Sequence, residues 1–363
     1  MDLHPLFEFV QVAMGNRSSL PAYMDGADWQ SLFDGCQRQA IAGIGFAAVE
    51  RLRGLGMECP EPLRMQWKSV AFQLKEQNRE LNRQCAELSR QYGHDGLSVC
   101  MLSGQGNLLN YPEELQMRRV PEGMEVWCVP SYGGMDIAVQ TGRGEVEYVH
   151  YSGQRAVMEY VHMLHRLAGH TDKPRQSRHS IEAPAWEGTE VKVHFRVGKT
   201  HSPLRNWRMQ RWFQSQAEVC MRNQTQMGFA VPTSSVNVVY QLASLYAHSL
   251  EGKWTLRQLM DCYYALRIWH NDVMECRDLQ GQGLWSEGVG TPVMSPSEVM
   301  AVLRSFGLAR FVTAVMYALL AAFAMPASYV LCEPNEVDGR RWLSSLSTSS
   351  DFVWPLRGGW LRR

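Results

Sequence analysis

The sequence predicts an α+β protein in which a small mixed β-sheet, over residues 96–204, is flanked by helical regions at 1–95 and 205–363. Three observations predict it. Apolar residues keep a helical period up to Tyr92, where Gly93 and Gly96 interrupt it. Short runs with strand character then alternate with helical ones as far as Val197. After Arg205 the helical pattern returns and persists.

In the first region, Trp29 to Leu55 reads as helical until Gly54 and Gly56. Leu74, Leu81 and Leu88 recur every seven residues, with Asn78, Cys85 and Tyr92 between them. That stripe predicts one amphipathic helix from Pro62 to Tyr92. The central region opens with an apolar strand, Leu97 to Leu102, then the turn Ser103-Gly104-Gln105-Gly106 and a helical stretch to Tyr111-Pro112. Further strands are expected at Val126 to Val129, Ile137 to Val139 and Glu190 to Val197, and a helix at Met158 to Leu167. Val191, Val193 and Phe195 then share one strand face, and Lys192, His194 and Arg196 the other. The last region holds helices at Asn206 to Met221, Ser234 to Leu250, Leu256 to Ile268, Ser297 to Phe306 and Arg310 to Ala324. A linker rich in Gly and Pro, Gly281 to Pro296, separates the third from the fourth.

The bulk numbers narrow the function classes. A chain of 363 residues exceeds one ordinary hydrophobic core, so two or three subdomains are expected. Lys+Arg and Asp+Glu are both 36, which argues against a broad nucleic-acid surface. Nine cysteines, without a Cys-x-x-Cys pair or zinc spacing, suit reduced thiols and a cytoplasmic protein. No charged segment precedes an apolar run at the N-terminus, so no signal peptide is expected. The longest apolar stretch, Phe311 to Met325, spans only about 22 Å as a helix, short of the ~30 Å of a bilayer core. It reads as a buried helix, and no membrane association is expected.

A strand ending in a glycine turn, a short helix, and a strand bearing a carboxylate also carry a resemblance. Ser103-Gly104-Gln105-Gly106, Tyr111-Pro112, Arg118-Arg119 and Glu122-Gly123-Met124-Glu125-Val126-Trp127 occur in order. They resemble an uncharacterised bacterial nucleotidyltransferase family of the polymerase-beta superfamily. Its pattern runs Lys-Gly-Gln-Gly, Tyr-Pro, Arg-Arg and Gly-Asp-Ile-Asp-Ile-Trp. Val191-Lys192-Val193-His194-Phe195-Arg196 resembles its Val-Glu-Val-His-Phe-Arg. The Arg-rich stretch Asn206 to Phe213 and the segments Asn237 to Leu242, Leu256 to Asp261 and Leu331 to Glu336 follow suit. The resemblance covers residues 28–346.

In that family, glycines let the backbone approach nucleotide phosphates, and an Asp-x-Asp strand with a third carboxylate on its neighbour holds two magnesium ions. Carried over, Ser103, Gly104, Gly106, Lys192, His194, Arg196, Arg257 and Asp261 become nucleotide or phosphate contacts. Glu125 becomes the catalytic carboxylate and metal ligand. A gapped alignment offers Asp136 instead, because Gly133-Gly134-Met135-Asp136-Ile137 echoes the motif. The departures are large: Gly123 stands for the first aspartate, Lys192 for the third carboxylate and Ser103 for the lysine. One carboxylate of three remains under either alignment. Each residue also has a plainer reading: a tight turn for Ser103 to Gly106, a solvated strand charge for Glu125 and Lys192, a polar strand face for His194 and Arg196. Arg257 and Asp261, four apart on one helix, suit a surface ion pair.

Three functions follow as expectations. The first is a nucleotidyltransferase-like protein with a degenerate metal site, weak or inactive, that binds a nucleotide such as a nucleoside triphosphate, a protein partner, or nothing. The second is an active enzyme that uses magnesium to transfer a nucleotidyl group to a small-molecule or protein hydroxyl. The third is a helical interaction scaffold whose protein partner the sequence does not specify.

Overall fold

A computed structural model describes residues 4–18, 28–140, 145–281 and 293–346. The chain begins with helices α1 (His4–Met14), α2 (Trp29–Arg38) and α3 (Ala42–Gly54) and the long α4 (Glu61–His94). The leucine stripe of α4 is its buried face, with Leu74, Asn78, Leu81, Cys85, Leu88 and Tyr92 all buried. Pro62 lies in its first turn, where a missing N–H costs nothing. Gly96, at φ +95°, turns the chain into the sheet.

Strand β1 (Leu97–Met101) leads through α5 (Gln105–Leu108) and α6 (Glu113–Gln116) into β2 (Met124–Pro130). Next come a hairpin, β3 (Gly134–Gln140) with β4 (Val146–Ser152), helix α7 (Gly153–Leu167), and strands β5 (Ser180–Trp186) and β6 (Thr189–His194). The main sheet has the order β1-β2-β6-β5, with β2 and β6 parallel and both outer pairs antiparallel. The protein is therefore α+β with a small mixed sheet, and the hairpin forms a second, two-stranded sheet of its own.

Two strands differ from the sequence expectation for identifiable reasons. Pro184 sits inside β5 next to a register shift between Ala183 and Trp186, so the run lacks the pattern of a regular strand. β4 reads Val-Glu-Tyr-Val-His-Tyr-Ser, with no clean alternation of apolar and polar residues, and is mostly exposed in a hairpin that packs on α7 apart from the main sheet.

The C-terminal half folds as α8 (Pro203–Arg222), α9 (Ser234–Leu250), α10 (Leu256–Gly281), α11 (Pro296–Ser305), α12 (Ala309–Phe323) and α13 (Glu336–Ser344). Most of the expected linker after α10 falls outside the described residues. The apolar run from Phe311 is the buried α12, and among the described residues no helix is long and apolar enough to cross a membrane. All nine cysteines are free thiols, and seven are buried.

The sheet separates two cores. Val126, Cys128, Val191 and Val193 pack with α4 and α7 on one face. Trp127 and Cys100, on the other face, join a core built from both ends of the chain, from Phe9 in α1 to Phe323 in α12. Alternation along β2 and β6 then sends Glu125, Lys192 and His194 to the side of α8 and α9, where the candidate site forms.

Candidate functional site

The turn after β1 is shaped by backbone demands. Gly104 caps α5 at φ 59°, ψ −111°, a region that side chains avoid. A Cβ on Gly106 would lie 2.2 Å from the Met101 carbonyl oxygen, so α5 packs against β1 with no room for a side chain. Gln105 fixes the turn to α4 by donating 2.7 Å to Asn82 Oδ1. These contacts account for both glycines and hold Ser103 at the mouth of a cleft of about 600 Å³ between the sheet and helices α9 and α10.

Glu125 is the hub of the cleft. It stands in register with Lys192 on the parallel neighbour, and Lys192 Nζ donates to its Oε1 at 3.0 Å. Ser103 Oγ donates to its Oε2 at 3.0 Å, and His194 Nε2 lies 3.6 Å from the same oxygen, just beyond hydrogen-bond length. Tyr240, buried on α9, sits beside both Ser103 and Glu125. Burial pushes the Glu125 carboxyl up, but His194 and Lys192 outweigh it and hold the group well below the usual carboxylate range.

A second layer braces this hub. Arg119 is almost fully buried and donates twice to Asp261, from Nε at 2.9 Å and Nη2 at 2.8 Å. Tyr111 donates to the same Asp261 Oδ1 at 2.7 Å. Arg119 Nη2 also lies 3.2 Å from Glu122, whose other oxygen accepts from Arg257. Burial again opposes ionisation of Glu122, and the two arginines outweigh it, so its carboxyl too is held low. Asn78 on α4 anchors the whole segment by donating 2.8 Å to the Arg119 carbonyl.

The structure thus brings Ser103, Glu125, Lys192 and His194 together, with Asp261 at the cleft's inner wall. It corrects three of the expectations. Arg257 and Asp261 are buried and pair with Glu122 and Arg119 respectively, not with each other at the surface. Arg196 does not continue the face of Lys192. β6 ends at His194, the backbone N–H groups of Phe195 and Arg196 both turn to the His179 carbonyl at 3.1 Å, and Arg196 bonds Gln154 outside the cleft. Asp136 lies on the separate hairpin, two-thirds exposed and paired with His150, so the gapped alignment places no carboxylate in the cleft.

Glu122 and Tyr240 are two of the cleft residues not expected from the sequence, along with His179, Lys199, His248 and Glu251 on its walls. Glu122 had a visible signal, being the carboxylate beside Gly123 in the motif. Tyr240 had none beyond its place in the segment Asn237 to Leu242.

The donor set does not fit a two-magnesium clamp. Such ions need several free oxygen ligands in near-octahedral order, whereas Glu125, Glu122 and Asp261 are each already closed by cationic side chains. Among the described residues no three His, Cys, Asp or Glu side chains cluster as a metal set. Compared with known proteins, no protein-family model, no curated protein and no solved structure matches this chain.

The low Glu125 carboxyl has a measurable consequence. A carboxyl held low in the folded state stabilises that state above its ordinary value of 4.5, and the contribution fades as pH falls from there toward the folded value. The stability gap between the unmodified protein and Glu125→Gln should therefore be constant from pH 6 to 8 and close progressively below about pH 4.5. Urea unfolding across pH measures it, and a gap that persists undiminished to pH 3 would contradict the pairing described above.

Proposed function

We propose that the chain is a nucleotidyltransferase-like protein that has lost metal-dependent transfer and retains its cleft for binding a nucleoside triphosphate. One observation carries this reading. The carboxylate at the second motif position, Glu125, is neutralised by Lys192 from within the protein and accepts a hydrogen bond from Ser103, with His194 adjacent. Lys192 takes the position of the third carboxylate, in register on the neighbouring strand, and supplies a fixed positive charge where the family would use a bound cation. The order of elements supports the same ancestry: a strand, a glycine turn with a short helix, a strand bearing Glu125, and a parallel strand bearing Lys192.

In such a protein the ammonium group, with its side chain 44% exposed, meets phosphate oxygens directly. Arg119 and Arg257 act at one remove, fixing Glu122 and the start of β2 so that Glu125 and Lys192 keep their register. Glu125 is a poor base for an acceptor hydroxyl, because it already accepts from Ser103 and Lys192 and its carboxyl is held low.

Calorimetric titration with a nucleoside triphosphate, with and without magnesium, tests the reading. The expected result is saturable binding that does not need the metal and that Lys192→Gln weakens by roughly tenfold. Binding that appears only with magnesium supports an enzyme instead. Absence of binding under both conditions leaves the cleft as part of an interaction scaffold.

A further inference from the structure

The bend that removes Arg196 from the cleft delivers it to a second cavity. The last in-register pair of the parallel strands is Trp127 with His194. Beyond it β2 stays with β1, pairing Pro130 with Leu97, while the chain after β6 turns toward His179. The carboxyl ends of two parallel strands therefore diverge, which is where open α/β sheets form crevices suited to ligands. Here the crevice has a volume of about 580 Å³ and is closed by α7 and α8. That volume lies within the about 300–1,000 Å³ of small-molecule sites.

Its lining is mixed, with Ser98, Ser131, Gln154, Gln210 and Gln214 supplying the neutral polar part. Trp127, Val157, Phe195, Phe213, Ala217 and Met221 give it apolar walls. Of its two cations, Arg222 is paired with Glu218 at 2.7 Å. Arg196 donates from Nε to Gln154 Oε1 at 2.7 Å, which orients the guanidinium and leaves both terminal nitrogens without a partner among the described residues. Gln210 is fixed by bonds of 3.1 and 3.0 Å to the Val197 and Gly198 carbonyls, holding the bent segment in place.

We infer that this crevice is a binding site for a small amphipathic monocarboxylate, its apolar body against Trp127 and Phe213 and its carboxylate on Arg196. One planar guanidinium matches one carboxylate through two parallel hydrogen bonds. A single unpaired cation, with Glu218 as a further anion in the lining, does not suit a polyphosphate, whose several charges need several cations. The site is separate from the Glu125 cleft and does not depend on its function.

Isothermal titration of the full chain with 4-phenylbutyrate, and with its neutral isostere 4-phenylbutyramide, tests the assignment. The acid should bind at one site per chain, roughly tenfold tighter than the amide. Arg196→Gln should reduce the acid to the level of the amide. Ala217→Trp, which fills the crevice from α8 without altering Arg196, should abolish binding of both, so either variant decides if the other fails to fold. Tripolyphosphate should not displace the acid. No saturable binding of the acid, equal affinity for acid and amide, or displacement by tripolyphosphate would each overturn the proposal, as would unchanged acid binding in a folded variant of either kind.

Discussion

Asp261→Ala should cost about 3–5 kcal/mol of unfolding free energy, the range for removing one partner of a buried ion pair. The carboxylate on α10 receives two hydrogen bonds from Arg119 and one from Tyr111, and the Arg119 and Asp261 side chains are only 1% and 5% exposed. Without Asp261 the guanidinium stays buried with Glu122, at 3.2 Å, as its remaining carboxylate neighbour. Desolvation of Arg119 opposes its charge, and Asp261 is the principal group that outweighs it. Removing both charges together should be milder than removing one. The double variant Arg119→Met, Asp261→Leu leaves no uncompensated ion, and replacing a buried pair by apolar groups of similar volume is often neutral. Urea unfolding of Arg119→Met, Asp261→Leu and the double variant closes a double-mutant cycle, with Asp261→Ala measured beside it. A loss below about 1 kcal/mol for Asp261→Ala would put the pair in the class of exposed surface bridges and remove its role as a brace.

That brace shows which parts of the molecule the sequence could disclose. α4 was legible because a seven-residue leucine stripe has one structural solution, a helix with one buried face. β1 and α9 were legible because their apolar runs are bounded by turn residues at both ends. The adjacency of Glu125 and Lys192 followed from the motif resemblance, since the two strands are 67 residues apart and no local pattern pairs them. The partners of Asp261 and Arg257 were beyond reach, because Arg119 and Glu122 lie 142 and 135 residues away. A four-residue helical spacing pointed instead to a local pair. Arg196 was misplaced for a different reason. Alternation predicts a side-chain direction only while the strand lasts, and β6 stops two residues short of it.

The largest functional effect expected is the absence of magnesium-dependent nucleotidyl transfer. Positioning and charge neutralisation supply most of the catalysis in this class of reaction. Glu125, the carboxylate that would hold a metal, is instead bonded to Lys192 and Ser103. Losing that positioning should lower transfer by on the order of 10³-fold or more relative to a competent site. A labelled triphosphate assay with magnesium or manganese, across small-molecule and protein acceptors, measures it. Robust transfer by the unmodified protein, lost on Glu125→Ala, would restore the enzyme reading. Substituting the residues of the resembled motif should not by itself confer activity, because the backbone leaves little room for a side chain at Gly123. A Cβ on Gly123 would lie 2.9 Å from the Glu190 carbonyl oxygen and 3.3 Å from the Glu190 Cβ, so Gly123→Asp has to push β2 and β6 apart. The expected result is a destabilisation of about 1–3 kcal/mol, as for overpacking in a core. Lys192→Glu meets no such barrier, since its side chain is 44% exposed, and it places a second carboxylate in register with Glu125. Magnesium binding gained by Lys192→Glu alone, and not by Gly123→Asp alone, would show that charge at Lys192 and backbone spacing at Gly123 are separate obstacles to a metal in this cleft.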